Sequence, residues 1–101
     1  MEFVKVASTK DLSPNKMIGV KAESNDILIA NFAGKYYAIG NSCTHRDCKL
    51  SDGKLKDGSI TCPCHGSVFD IKTGNVLHGP AKNPEPVYQV KVEGDQILVK
   101  A

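Results

Sequence analysis

The chain has 101 residues, which is the usual size of one domain with its own hydrophobic core. Hydrophobic residues make up 41% of it and charged residues 24%, and this balance excludes long intrinsic disorder. A net charge of +2 is too even to predict binding to nucleic acid or to a membrane surface. No apolar run approaches the roughly 18 residues of a membrane span, and the N-terminus lacks the pattern of a secretory signal. These features together predict a cytoplasmic protein without nucleic-acid or membrane partners.

The first forty residues are rich in short β-prone segments. Ser8 and Asp11 stand at capping-box spacing and predict one helical turn, which Pro14 prevents from continuing. The dipeptide Ala33-Gly34 predicts a tight hairpin turn in which Gly34 has a positive φ. The pattern therefore predicts four strands, at Phe3–Ala7, Met17–Lys21, Asp26–Phe32 and Lys35–Ile39.

The C-terminal end predicts a second hairpin, because Val87–Val92 and Gln96–Lys100 flank the turn residues Glu93-Gly94-Asp95. Residues 41–86 differ from both ends, since they hold most of the glycines and four of the five prolines. Only short strands are predicted there, at Ser59–Thr61 and Val68–Ile71. We therefore expect one all-β domain over 1–101. It would be a small antiparallel sandwich or barrel base that carries an inserted, loop-rich lobe at 41–82.

Cysteine and histidine are concentrated in this lobe. Six of the seven such residues fall between positions 43 and 65; the full set is Cys43, Cys48, Cys62, Cys64, His45, His65 and His78. Four cysteines allow three complete disulfide pairings, but none of these explains the interleaved histidines. In a small cytoplasmic protein such clustering predicts a metal site before a disulfide framework. A lobe so poor in apolar residues also needs a staple of this kind.

The candidate ligands form two mixed arms. One arm is Cys43-Thr44-His45, and the other is Cys62-Pro63-Cys64-His65, in which Cys62 and His65 have the spacing C-x-x-H. Two cysteines and two histidines could hold zinc tetrahedrally, although zinc sites usually place both cysteines in one arm and both histidines in the other. Mixed arms suit a two-iron cluster in which one iron takes both thiolates and the other takes both imidazoles.

Two longer segments carry a family resemblance. Residues 43–48 (Cys-Thr-His-Arg-Asp-Cys) and 62–70 (Cys-Pro-Cys-His-Gly-Ser-Val-Phe-Asp) resemble the two cluster-binding boxes of the Rieske [2Fe–2S] family. The short chain resembles a Rieske-type ferredoxin. The resemblance implies one [2Fe–2S] cluster per chain, held by a ligand set of Cys43 and Cys62 on one iron and His45 and His65 on the other.

The resemblance also implies roles for residues around the cluster. Cys48 and Cys64 stand where high-potential Rieske proteins have a disulfide; the alternative is two thiols kept reduced in the cytosol. Ser67 stands where a serine hydroxyl donates to a cluster sulfur, and Phe69 where a tyrosine does so in high-potential members. The segment Gly79-Pro80-Ala81 resembles the loop that covers the cluster from a third side.

The remaining polar residues of the lobe have no assigned role. We expect His78 to be a surface loop residue, because two histidine ligands are already assigned. A set of basic residues could form a rim near the cluster but is more simply read as a solvated face: Arg46, Lys49, Lys54, Lys56 and Lys82.

The function implied by the resemblance is electron transfer and not catalysis. The chain would be a monomeric carrier of single electrons between a reductase and an oxygenase or another redox protein, with transient contacts to each. One alternative is a small Rieske subunit of a larger reductase, such as an assimilatory nitrite reductase. Another is an interaction module stapled by zinc.

Overall fold

The computed structural model describes residues 3–22, 24–42, 48–64, 66–79 and 81–100. Within these ranges the secondary structure is almost entirely β, which confirms the predicted fold class. Two 3-10 helices, Thr9–Asp11 and Leu50–Asp52, are too short to cross a membrane. The ten strands of the described residues are β1 Phe3–Ser8, β2 Met17–Ala22, β3 Asn25–Phe32, β4 Lys35–Gly40, β5 Lys54–Lys56, β6 Ser59–Thr61, β7 Val68–Asp70, β8 Val76–His78, β9 Val87–Glu93 and β10 Gln96–Lys100.

Six strands form an antiparallel sheet in the order β1-β10-β9-β4-β3-β2. Its first and last strands, β1 and β2, also contact each other, so the sheet is a nearly closed barrel. The two predicted hairpins, β3–β4 and β9–β10, are both present in it. At the first hairpin turn both Ala33 and Gly34 have positive φ, at 54° and 77°. The predicted capping box of Ser8 and Asp11 is present at the first 3-10 helix.

Strand β3 is buried on both of its faces. Ile27 and Ile29 point into the barrel, where they join a core with Ala38 of β4. Leu28 and Ala30 point the other way and join a second core outside the barrel. The uninterrupted apolar run of this strand follows from that position, because a strand with one face in water would alternate apolar and polar residues.

The second sheet, in the order β5-β6-β7-β8, is made by the part of the chain between β4 and β9. Ile60, Phe69 and Ile71 of this region are completely buried, in the same core as Leu28 of the barrel. The sheet therefore sits on the outer face of the barrel strand β3.

Sequence patterns predicted β6 and β7 but missed β5 and β8. Strands β5 and β8 have three residues each. Only the middle residue of β5 and the first residue of β8 are partly buried. A three-residue strand offers too few positions for an alternating pattern to be recognised.

Shortening a buried side chain on either face of β3 should destabilise the protein. Ile29→Ala and Leu28→Ala should each lower the free energy of unfolding by about 2–5 kcal/mol, the usual cost of emptying a well-packed core position. Denaturant unfolding measures this, with Val92→Ala as the exposed control, since Val92 is 43% exposed and should change stability by less than about 0.5 kcal/mol. A Leu28→Ala variant as stable as Val92→Ala would show that the second core does not hold the sheet to the barrel.

Candidate metal centre

The base of the first ligand arm lies where β4 leaves the barrel. Ser42 forms an isolated antiparallel bridge with Lys49, and the backbone N–H of Leu50 donates to the carbonyl of Asn41 at 2.8 Å. The residues that flank segment 43–48 are therefore held side by side. Two of the predicted ligands, Cys43 and His45, belong to this segment and lie outside the described residues.

The second ligand arm is a tight turn between β6 and β7. The N–H of Cys62 donates to the carbonyl of Ser67 at 2.7 Å, and the N–H of Gly66 donates back to the carbonyl of Cys62 at 3.3 Å. Gly66 has a φ of 77°, which glycine adopts at little cost. Cys62 itself is buried in the core between the two sheets, with 2% of its surface exposed. The fourth predicted ligand, His65, lies outside the described residues.

The two arms meet at Cys48 and Cys64. Their sulfur atoms lie at bonding distance, and their Cα atoms are 6.4 Å apart, within the range that a disulfide can bridge. They are 16 positions apart in the sequence. The fold thus brings together the two cysteines that the family resemblance pairs.

The third predicted segment approaches the second arm through a buried hydrogen bond. The backbone N–H of Ala81 donates to Oγ of Ser67 at 3.0 Å, and both residues are almost completely buried. Gly79, two residues earlier, is exposed, and Pro80 between them lies outside the described residues. Ser67 therefore ties the segment around residues 79–81 to the turn that contains Cys62.

Phe69 is a core residue of the second sheet. Its side chain is completely buried and belongs to the same cluster as Cys62 and Ala81. On β7 it lies opposite Ile60 of β6. The ring therefore fills the space beneath the second arm.

His78 is the last residue of β8 and is exposed. The expectation of a loop residue was wrong in this respect, because residue 78 pairs with Val68 at the edge of the second sheet. Of the predicted basic rim, Lys49 forms an ion pair with Asp26 at 3.7 Å. Lys54, Lys56 and Lys82 are exposed, which agrees with a solvated face, and Arg46 lies outside the described residues.

A buried carboxylate near the first arm was missed by the sequence analysis. Glu85 is only 4% exposed, and a Cβ placed on Gly40 would come within 2.5 Å of its Oε1. Gly40 therefore makes room for this side chain. Burial, together with the nearby Glu85 carboxylate, raises the pKa of the Tyr88 hydroxyl above its ordinary value. Since glutamate is usually a surface residue, no feature of the sequence distinguished this one.

The donor set suits a Rieske-type [2Fe–2S] cluster. Three of its four predicted ligands lie outside the described residues, so the described ranges alone contain no group of three metal-ligating side chains. Within them, a buried cysteine lies in a tight turn, and a cysteine pair connects this turn to the other arm. One thiolate and one imidazole per arm match the ligands of such a cluster, whereas structural zinc sites usually separate the two types.

Comparison with known proteins identifies the family of this chain. The family described as "Rieske [2Fe-2S] domain" matches residues 2–99. The chain is 35% identical to the ferredoxin component of biphenyl 2,3-dioxygenase from Rhodococcus jostii (strain RHA1), over 98% of this chain and 92% of that protein. The solved ferredoxin of carbazole 1,9a-dioxygenase from Nocardioides aromaticivorans IC177 is 30% identical and superposes with a TM-score of 0.93, over 98% of this chain and 97% of that one.

A second similar structure contains two proteins. It is a complex of reduced oxygenase and oxidized ferredoxin in carbazole 1,9a-dioxygenase. The matching chain is 28% identical, with a TM-score of 0.90 over 96% of this chain and 91% of that one.

Proposed function

Because this chain belongs to the Rieske [2Fe–2S] domain family, we propose that it is an electron carrier, and not itself a catalyst, that holds one [2Fe–2S] cluster. The observation that carries the proposal is the convergence of the arms, in which the Cys62 turn and the segment after residue 42 meet at Cys48 and Cys64. The whole chain, 1–101, would form one Rieske domain with residues 41–82 as the cluster-binding lobe.

The proposed ligands are Cys43 and Cys62 for one iron and His45 and His65 for the other. When bound, such a cluster accepts and releases one electron at a time, and its neutral imidazoles make reduction easier than at an all-cysteine cluster. The chain's own residues position these ligands. Cys62 is placed by the hydrogen bonds of its turn and by its burial between the sheets.

The electron partners are proposed to be a reductase as donor and an oxygenase as acceptor. The relatives described above are ferredoxin components of dioxygenase systems, and one similar structure is a complex of ferredoxin with oxygenase. These relatives favour the carrier over the subunit of a nitrite reductase. We propose a cytoplasmic monomer whose contacts with each partner are small and transient, as is usual for electron-transfer pairs.

We also propose that Cys48 and Cys64 form a disulfide and that Ser67 donates to a cluster sulfur. The Oγ of Ser67 already accepts a hydrogen bond from Ala81. Its own O–H proton is therefore available to donate to a cluster sulfur. A donor to sulfur stabilises the more negative, reduced state and so raises the reduction potential.

The first prediction from the proposed function concerns the iron and sulfide content of the purified protein. We expect iron and acid-labile sulfide in equal amounts, about two of each per chain, measured by colorimetric assay. Cys62→Ala should abolish both, because it removes a ligand from the buried turn. One zinc per chain without sulfide would instead identify a structural zinc module and end the Rieske proposal.

The second prediction concerns the cysteine pair. Peptide mapping without reductant should recover Cys48 linked to Cys64. A bond that closes a loop of this length is worth about 3 kcal/mol, and its loss should accelerate release of the cluster more than it unfolds the barrel. Cys48→Ser, Cys64→Ser and the double variant should release it equally fast, because each breaks the same bond. Alkylation of both thiols in native, cluster-loaded protein would contradict the proposal.

The third prediction separates the two hydrogen bonds of Ser67. Ser67→Ala leaves the buried N–H of Ala81 without its acceptor and should lower the free energy of unfolding by about 1–3 kcal/mol. If the bond to sulfur is about 1 kcal/mol stronger in the reduced state, the potential should also fall by about 40 mV, from about 59 mV per tenfold change in equilibrium. Ser59→Ala is the control, since the hydroxyl of Ser59 is at the surface, where it donates to Lys56.

Phe69→Tyr tests the opposite change, because it adds a hydroxyl near the proposed cluster where Ser67→Ala removes one. A hydroxyl that reaches a sulfur should raise the potential by a similar amount. A lowered melting temperature with an unchanged potential would show that the ring points away from the cluster and that the new hydroxyl is buried without a partner.

A further inference from the structure

We propose that Asn41 is a positioning residue that seats the first ligand arm on the barrel. It acts through Ser51, and Gly19 leaves the space that the pair occupies; these three residues are called the latch below. The inference rests on the proposed function, because the arm that the latch holds is the one that carries two of the proposed ligands.

Every hydrogen-bonding group of Asn41 is engaged. In the backbone, its N–H donates to the carbonyl of Asp26 at 3.1 Å, and its carbonyl accepts from the N–H of Leu50 at 2.8 Å. In the side chain, Oδ1 accepts from the N–H of Ser51 at 2.8 Å, and Nδ2 donates to Oγ of Ser51 at 3.0 Å. The residue is 2% exposed. Asn41 therefore joins the barrel strand β3 to the 3-10 helix that follows the arm.

The latch lies at the base of the arm. Asn41 is the residue after β4, and Ser51 is in the 3-10 helix Leu50–Asp52. Between them, Ser42 pairs with Lys49, and only segment 43–48 lies beyond that bridge. The two residues from which the arm extends, Ser42 and Lys49, are therefore held next to the latch. Loss of the latch would let the arm pivot, although its cysteine still meets the other arm.

Gly19 of β2 shows that the barrel is shaped for the latch. A Cβ at position 19 would lie 2.5 Å from Nδ2 of Asn41 and 2.9 Å from Oγ of Ser51. Atoms at these distances must move apart, so any larger residue would displace the side-chain pair. Gly19 is not required for a positive φ, so space alone accounts for the glycine. Strands β2 and β3 and the end of β4 thus all meet at the latch.

Asn31 offers a matched control within the same sheet. It is also buried, at 7% exposure, and its Nδ2 also donates a hydrogen bond, in this case to the backbone carbonyl of Leu12 at 3.0 Å. Its backbone groups pair with Asn15 and Lys16, none of which belongs to a ligand arm. A purely structural role for buried asparagine predicts the same consequences at both positions, whereas the latch predicts a difference in how the cluster is held.

The test compares purified, cluster-loaded variants by three measurements: the melting temperature, the rate of cluster release to an iron chelator, and the electron paramagnetic resonance linewidth of the reduced protein. Asn41→Ala should release the cluster about tenfold faster than the unaltered protein, equivalent to about 1.4 kcal/mol, and should broaden the resonance because the arm samples more than one position. Asn31→Ala should lower the melting temperature but leave the release rate and the linewidth unchanged.

Variants of the other two latch residues keep the test decisive if Asn41→Ala does not fold. Ser51→Ala removes the hydrogen bond from Nδ2 of Asn41 and should accelerate cluster release by a smaller factor. Ser51→Thr keeps the hydroxyl and should return the release rate to that of the unaltered protein. Gly19→Ala should act like Asn41→Ala.

Two negative results have different meanings. Latch variants that release the cluster no faster than Asn31→Ala would overturn the latch and leave the proposed function intact. An unaltered protein without iron and sulfide would overturn the proposed function, and the latch with it.

Discussion

The structure depends on the burial of β3 on both faces. One face closes the barrel with Ile27 and Ile29, and the other face receives the second sheet through Leu28 and Ala30. Burial of apolar surface is the main favourable term in folding, and here the same strand supplies it to two cores. The second sheet, which is small and made of three-residue strands, would not be expected to fold without this support. The candidate metal centre is therefore built on the barrel.

The polar contacts of the lobe form a chain that starts at the barrel. Asn41 and Ser51 hold the base of the first arm, and Cys48 and Cys64 bring this arm to the second. Ser67 then connects the second arm to Ala81. The hydrogen bonds at Asn41 and at Ser67 engage buried groups that would be costly to leave unsatisfied. These contacts hold described residues at the edges of the three loops in place before any ligand is considered. Such a preorganised frame suits a centre that gains and loses an electron without large movement.

Most charged side chains near the lobe are exposed or ion-paired, and one carboxylate is buried. The exposed lysines of the second sheet lie in solvent, and Lys49 is paired with Asp26. The one strongly buried carboxylate among the described residues, Glu85, lies beside Gly40 at the start of the first arm. Its burial is a tertiary property, since it depends on a glycine forty-five positions away in sequence.

The sequence by itself determined the all-β class, the two main hairpins, the capping box at Ser8 and the family, because each of these depends on residues close together in the chain. Local spacing also singled out Cys62, and the family resemblance singled out the pair Cys48 and Cys64. Only the tertiary structure decided which face of β3 meets which core, and only it revealed strands β5 and β8. It alone assigned Asn41, Ser51 and Gly19 to one contact. The physical reason is that these features depend on atoms brought together from distant segments. An asparagine before a ligand loop has the same sequence pattern whether its amide is buried in a latch or exposed to water.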